Sequence, residues 1–358
     1  MTKNAYNYLI RLRPLDYYFF GGEITFGDGK NEKYYAKTRP FPQQTTILGV
    51  LRHLGYNKVD IGESFDPDTL MREDNTFGYI KNLSPLFLMN NKEAYLPSPL
   101  GTEKAQPFDV STAGQGVEHW NGENWEKAYQ LLDYKAKDGW NQGLRSKDNE
   151  KITELDDVIK IFDKIGITKA KDGEAKTDGF YKQQMAKLQN GWKFAVLAQM
   201  DVELASQLPQ TAIMPFGAEK ALFHISLKKL NAEKSMESYF PNDMWQHSFP
   251  EKLDCILLLS DALVDKKIYD YCQFAITDTV DFRNIRTPKA VTEFARFFKH
   301  KKEKGTDTGD YLYKSGKYNL LKRGSLLYGN KEKIANCIDR PTYQAIGYNH
   351  YITLSSKK

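Results

Sequence analysis

YNYLIRLRPL, Tyr6 to Leu15, sets Tyr8, Ile10 and Leu12 on one side and Arg11 and Arg13 on the other. That alternation is a half-buried strand. Next comes YYFFGGEITFGDGK, where Gly21-Gly22 and Asp28-Gly29 mark turns and predict an irregular hairpin or loop. RPFPQQTTILGVLRHLGY follows. Pro40 and Pro42 keep the backbone extended, and Thr45 or Thr46 can cap a helix whose apolar stripe is Ile47, Val50, Leu51 and Leu54. Gly55 is placed to stop it. LSPLFLMNNKEAYLPSPL, Leu83 to Leu100, reads as two short strands around Asn90-Asn91. DGFYKQQMAKLQNGWKFAVLAQMD, Asp178 to Asp201, reads as a β-hairpin turning at Gln189-Asn190-Gly191. VELASQLP is a short helix, and MPFGAEKALFHISL, Met214 to Leu227, a strand with a glycine bend. The order strand, helix, two strands, helix, strand is the βαββαβ ferredoxin-like unit, shared with RRM domains.

The intervening region 101–182 is charge-dense and reads as an insertion on that simpler core. Within it Leu155, Val158, Ile159 and Phe162 have helical spacing, Thr153 with Asp156 makes a cap, and Gly166 is a stop, so a helix is expected over Thr153 to Ile165. The part from 133 to 182 can extend as an arm toward a neighbouring subunit or a nucleic acid, or be a solvated insertion. A second αβ unit follows. LDCILLLSDALV is a buried strand, and TPKAVTEFARFFKHKK a helix capped by Thr287 with Pro288 at its first position. LKRGSLLYG is a strand, KEKIANCID a short helix and AIGYNHYITL a closing strand. The expected architecture is α+β: two ferredoxin-like (RRM-like) βαββαβ domains, residues 1–235 with the insertion and residues 236–358.

Composition sets looser bounds. A chain of 358 residues accommodates two domains, and 41% hydrophobic with 27% charged residues fits an ordinary globular protein. A net charge of +5, from 51 basic and 46 acidic residues, does not by itself mark a nucleic-acid binder. The 22 Tyr and 20 Phe, many beside Lys or Arg, suit single-stranded RNA, whose bases stack on rings while its phosphates meet cations. They equally suit amphipathic cores and rims. Cys255, Cys272 and Cys337 are too far apart in sequence for a zinc motif. The N-terminus lacks the apolar core of a signal peptide, and CILLL at Cys255–Leu259 is too short to span a bilayer, so a cytoplasmic location is expected.

No nucleotide-binding glycine motif, metalloprotease motif or nucleophile elbow occurs, and the six histidines are scattered. No metal or cofactor is expected. A lone histidine can still act as general base in metal-independent RNA cleavage. His53, near the end of the first helix, and His350, after Gly347, are the candidates. A structural or RNA-contacting histidine is the commoner case.

Seven segments in order carry a family resemblance: LRPLDYYFFGGEITFG; FPQQTTILGVLR; LFLMNNKEAYLPSPL; KIGITKA with DGFYKQQMAKL and GWKFAVLAQM; FGAEKALFHISL; KRGSLLYG; and GYNHYITL. Together they resemble the RAMP superfamily of CRISPR proteins and, within it, the family of subunit three of the Cmr (type III-B) effector complex. The chain departs from the family in 101–150, around 230–250, and at Gln43-Gln44, where prolines are usual. The resemblance implies a subunit that is not itself the nuclease and takes part in RNA-guided antiviral defence. It implies binding of the repeat-derived 5′ handle of the crRNA. The implied protein partners are the large polymerase-like subunit and the backbone RAMP subunit. Precursor-crRNA cleavage by a metal-independent endoribonuclease is the alternative, and a subunit making mostly protein contacts is a third.

A single-stranded handle needs cations and backbone N–H groups for phosphates, and rings for splayed bases. Glycine-rich loops allow close backbone approach at Gly21-Gly22, Gly324-Ser325 and Gly347. The helix N-terminus at Thr45-Thr46 can receive a phosphate. Arg13, Lys37, Arg39, Lys322 and Arg323 supply cations, Tyr18, Phe41, Tyr328 and Tyr348 rings, and His350 a further RNA contact. The competing readings are turns for the glycines, a solvated face for Arg13 and core for Phe41. The modest net charge suggests a groove completed by a partner.

Overall fold

The computed structural model describes residues 5–21, 35–62, 65, 77–101, 110–112, 118–120, 123–127, 129–131, 137, 139–147, 152–169, 173–241, 244–245, 255–283, 285–286 and 313–354. Gly22, the Asp28-Gly29 turn and the helix expected from Thr287 lie outside them. The chain is α+β and rich in sheet, with few helices among the described residues.

The expected first strand forms as β1 (Tyr6–Pro14), and after a short β2 (Tyr35–Ala36) the expected helix forms as α1 (Gln44–Gly55). Thr45 and Thr46 lie inside that helix. Its N-cap is Gln43, which makes no side-chain capping bond. Next come β3 (Ile80–Leu83), then β4 (Phe87–Asn90) and β5 (Glu93–Pro97), paired around Asn91 at φ 53° as anticipated. β6 (Val110–Thr112) pairs with β9 (Tyr129–Leu131), and β7 (Glu118–Trp120) with β8 (Trp125–Lys127). β10 (Gly143–Ser146) and β11 (Thr153–Glu154) extend the main sheet from β5.

The helix expected over Thr153 to Ile165 is a single turn, α2 (Leu155–Val158), which gives way to β12 (Ile159–Lys169). Ile159, Ile161, Ile165 and Ile167 also fit a period of two, and β-branched residues favour the pleated state once a partner strand is at hand. That partner is β13 (Ala175–Leu188), paired from Ile159↔Leu188 to Lys169↔Ala175. The turn at Gln189–Gly191 exists, with Gly191 at φ 87°, but it does not make a hairpin. β13 pairs with β12 and β2, whereas β14 (Trp192–Met200) pairs with β1, β3 and β4. The apolar run of β14 belongs between strands in a sheet covered on both faces, so the chain changes sheets at the turn. The distal β12–β13 ribbon leaves Ile165, Ile167 and Phe180 exposed.

α3 (Val202–Ser206) is capped by the Asp201 side chain, which accepts from Leu204 N. The strand expected over Met214 to Leu227 is instead a hairpin of β15 (Thr211–Pro215) and β16 (Leu222–Lys234). Gly217, Glu219 and Lys220 turn it with positive φ. After α4 (Met236–Tyr239), the second unit begins with β17 (Cys255–Leu258), shorter than expected, and a 3₁₀ turn at Lys266–Tyr271. β18 (Cys272–Ile276), β19 (Thr279–Phe282), β20 (Ile285–Arg286), β21 (Tyr313–Lys314), β22 (Tyr318–Leu321) and β23 (Leu326–Gly329) follow. LKRGSLLYG is thus broken by the turn at Lys322–Ser325. α5 (Lys331–Ile338) forms as expected, α6 (Pro341–Gln344) is added, and only β24 (Tyr351–Leu354) of the closing segment is strand. Gly347 at φ 92° and Asn349 at φ 55° interrupt the rest.

The main sheet runs β11-β10-β5-β4-β14-β1-β16-β15, with β3 also against β14. The second runs β18-β23-β17-β24. α1 lays Ile47, Leu48, Leu51 and Leu54 on one face of the main sheet, against Ile10, Leu12, Phe194 and Ile225. Burying each such side chain contributes about 1.5–3 kcal/mol. The other face meets the second sheet: Leu9, Phe87, Met89 and Leu197 share a core with Leu257, Leu326, Tyr328, Ile352 and Trp245. α5 and the 3₁₀ turn cover the far side through Ile334, Ile338 and Ile268. The layers are therefore helix, sheet, sheet, helix.

Candidate nucleic-acid interface

The segment before α1 crosses to the second unit. Arg39 to Gln43, Trp140 to Gln142, Glu154 to Asp156, Asp261, Val280, Lys322 and Arg323 line a cleft of about 340 Å³. Its floor is an ion pair. Asp261 accepts from Arg323 N at 2.9 Å, Nε at 3.2 Å and Nη2 at 3.1 Å, and both residues are buried. Burial pushes the Asp261 carboxyl up, but the charge and hydrogen bonds of Arg323, with Arg39 beyond, outweigh it and hold the group below the usual carboxylate range. The Arg323 guanidinium also lies 5.1 Å from the Phe41 ring centroid. Arg323 is thus a framework group that shapes the cleft.

The cations at the cleft's mouth are held more loosely. Lys322 Nζ meets Asp278 Oδ2 at 3.0 Å, with both side chains about a third exposed. Arg39 is half-buried, and its Nη2 donates to the neutral carbonyl of Asp281 at 2.5 Å. α1 points its N-terminus here with neither a side-chain cap nor an acidic residue in its first turn, so its dipole is uncompensated. Thr45 and Thr46 are half-buried in that turn, with the buried Tyr348 hydroxyl beside Thr45. Trp140 and Phe41 supply rings, Asn141 and Gln142 amides, and Glu154 and Asp156 carboxylates. Cations at the mouth with rings, amides and carboxylates within suit a phosphate outside and a base edge inside.

Arg39, Lys322, Arg323 and the Thr45-Thr46 turn are therefore brought together. The remaining predicted residues stand elsewhere. Lys37 is exposed, 5.9 Å from the Tyr35 ring beside the β12–β13 ribbon, and Gly21 bridges to Thr38 on the same run. Arg13 is exposed on the opposite face of the main sheet from Phe41, which packs on Phe194. Tyr18, Tyr328 and Tyr348 are buried rings that present no stacking face. His350 is buried, with Nε2 3.0 Å from Gln344 O, and burial pushes its pKa down to about 4. Its imidazole is neutral and turned into the core. His53 is also shifted down by burial.

The glycines approach protein. A Cβ on Gly324 would stand 2.2 Å from Gln142 Nε2 and 2.7 Å from Ser98 O. One on Gly347 would stand 2.2 Å from Gln44 Nε2 and 2.4 Å from Ser84 O. Each glycine serves an amide clamp between the two units. Gln44 Nε2 donates to Ser84 O and Gly347 O, both at 3.0 Å. Gln142 Nε2 donates to Ser98 O at 2.8 Å and Arg323 O at 2.9 Å. Ser325 closes the turn beside Gly324, its Oγ donating to Lys322 O at 2.7 Å. Sequence reasoning missed Gln44, Gln142, Trp140 and Asp261. The repeated Ser-Pro-Leu at Ser84–Leu86 and Ser98–Leu100 was the available signal for the clamps. Among the described residues no group of three or more His, Cys, Asp or Glu side chains could hold a metal, and no helix is long and apolar enough to cross a membrane.

A family model described as "CRISPR-associated protein (Cas_Cmr3)" matches residues 10–291. Among solved structures, the chain is similar to one in "Cryo-EM structure of the Type III-B Cmr-beta bound to cognate target RNA and AMPPnP, state 1", at 14% identity, 96% coverage of both chains and a TM-score of 0.51. A chain in "Cryo-EM structure of the Type III-B Cmr-beta bound to cognate target RNA" matches with the same values. At that identity the likeness concerns the fold. Comparison with curated proteins gives no match.

Proposed function

The chain belongs to the Cas_Cmr3 family of CRISPR-associated proteins, subunits of type III-B effector complexes in antiviral defence, and from that premise we propose that it binds the 5′ repeat-derived handle of the crRNA without cutting it. The observation that carries this is the cleft: Arg39 and Lys322 at its mouth, an uncapped α1 N-terminus, and Phe41 and Trp140 on its walls. It sits between two units whose sheets share one strand order. β4-β14-β1-β16 and β18-β23-β17-β24 each place the second, third, first and fourth strands of a βαββαβ unit side by side. That supports the reading of two ferredoxin-like domains, 1–235 and 236–358. The β12–β13 ribbon, with its exposed Ile165, Ile167 and Phe180, fits an arm toward other parts of the assembly. Docking with the large polymerase-like subunit and the backbone RAMP subunit completes the proposal, in the cytoplasm.

The test uses RNA that copurifies with the assembled complex, trimmed to its 5′ segment and labelled. Arg39→Ala with Lys322→Ala is expected to weaken binding and to make the salt slope of log K shallower by roughly 1.4, about 0.7 for each lost phosphate contact on a single strand. Unchanged affinity and slope would remove the cleft from the account. The endoribonuclease alternative has less behind it, because His350 is buried and hydrogen-bonded. It predicts metal-independent cleavage of precursor RNA, abolished by His53→Ala.

A further inference from the structure

Among the described residues, nothing covers part of the main sheet's second face. Leu9, Leu197, Phe87 and Met89 meet the C-terminal unit, but the same face continues over β14, β1, β16 and β15. The register fixes what it presents. Arg13 stands opposite His224, Arg11 opposite Ser226 and Leu9 opposite Lys228. Ile213 and Thr211 on the edge strand stand opposite His224 and Ser226. Continuing the β1–β14 ladder one residue beyond Leu12↔Phe194 sets Lys193 beside Arg13. Lys193, Arg13 and His224 therefore form one row across three neighbouring strands, with Arg11 and Lys228 in the rows behind. Strand spacing places members of a row about 4.8 Å apart and successive rows about 6.8 Å apart.

Arg13 and Lys228 are exposed, and Lys193, Arg11 and His224 are half-exposed. The positions that these four strands turn to this part of the face carry no Asp or Glu. Among the described residues, Lys193, Arg13 and His224 have neither an ion pair nor a side-chain hydrogen bond. Arg11 Nε donates to Ser226 Oγ at 3.2 Å. Like charges side by side across strands are unfavourable until an anion neutralises them. Nucleic-acid interfaces are far more positively charged than protein interfaces, where lysine is depleted. The uncovered positions carry no Phe, Tyr or Trp, and stacking on the His224 imidazole or an arginine guanidinium tolerates any base, so contacts here go chiefly to phosphates and carry no sequence information.

We propose that this open sheet face is a second RNA-contacting surface, one that grips the phosphate backbone of a single strand without reading its bases. It does not rest on the handle reading, because the row of Lys193, Arg13 and His224 shares no residue with the cleft. The test uses the full chain with two labelled single-stranded RNAs of roughly 20 nucleotides, an oligouridylate and a mixed sequence, both lacking the handle. Wild type binds the two equally. Arg13→Glu with Lys193→Glu weakens both about tenfold at low salt and makes the salt slope shallower by roughly 1.4. Arg13→Gln with Lys193→Gln gives a smaller loss in the same direction, and Arg13→Lys with Lys193→Arg restores wild-type binding. Unchanged affinity and slope in the reversal variant would overturn the proposal. So would intact RNA binding with failed assembly into the complex, which would assign the face to an acidic protein partner.

Discussion

Asp261 accepts three hydrogen bonds from Arg323 in a largely buried site at the floor of the cleft. Removing one partner strands the other's charge, so Asp261→Ala is expected to cost about 3–5 kcal/mol in urea unfolding, and the cleft should lose its shape with it. His350 makes a different prediction. Its pKa falls from 6.5 to about 4 on folding, so between those values the unfolded chain binds a proton that the folded chain does not. Stability is then fully present above about pH 6.5 and falls as pH drops toward 4, by about 3 kcal/mol at most. His350→Gln should flatten that part of the stability–pH curve, and an unchanged curve would contradict the burial argument. Residues such as Asp261, Gln44 and Gln142 were illegible in the sequence because their meaning lies in partners far along the chain. Arg39 and Lys322 were legible because cations beside glycine turns and a helix start are local signals.

α1 shows how an element can favour function over stability. Gln43 at its N-cap leaves the first turn uncapped toward the cleft. Gln43→Asp should stabilise the protein by about 1 kcal/mol in thermal or urea unfolding, while weakening RNA binding by placing a carboxylate where a phosphate is expected. A variant that gained stability and kept its RNA affinity would remove the helix terminus from the site. Gly347→Ala should destabilise by more than about 1 kcal/mol, since φ is 92° and the methyl would meet Gln44 and Ser84. The elements themselves were mostly readable where one period dominated, as in β1, α1, β4–β5, α3 and α5. Thr153 to Ile165 misled because Leu155, Val158, Ile159 and Phe162 satisfy a helical period while the isoleucines satisfy a strand period. Pairing with β13 decided between them, as did the pairing of β14 with β1 and β4 at the Gln189–Gly191 turn.

Across the whole molecule, two sheets share one apolar core and are tied by two amide clamps, so the cleft between the units is held from both sides. Gln44→Ala with Gln142→Ala should therefore speed amide hydrogen exchange at Gly324 and Gly347 and loosen RNA binding while leaving both sheets folded. The family membership fixes the assembly in which such a cleft works, and the handle reading is the claim that most needs a direct measurement. Zero-length RNA–protein crosslinking in the assembled complex, with a photoreactive nucleotide at each handle position in turn, provides it. The account predicts adducts on Arg39 to Gln43, Trp140 to Gln142 and Lys322-Arg323. Handle positions that crosslink only to other subunits, or only to distant surfaces of this one, would contradict it.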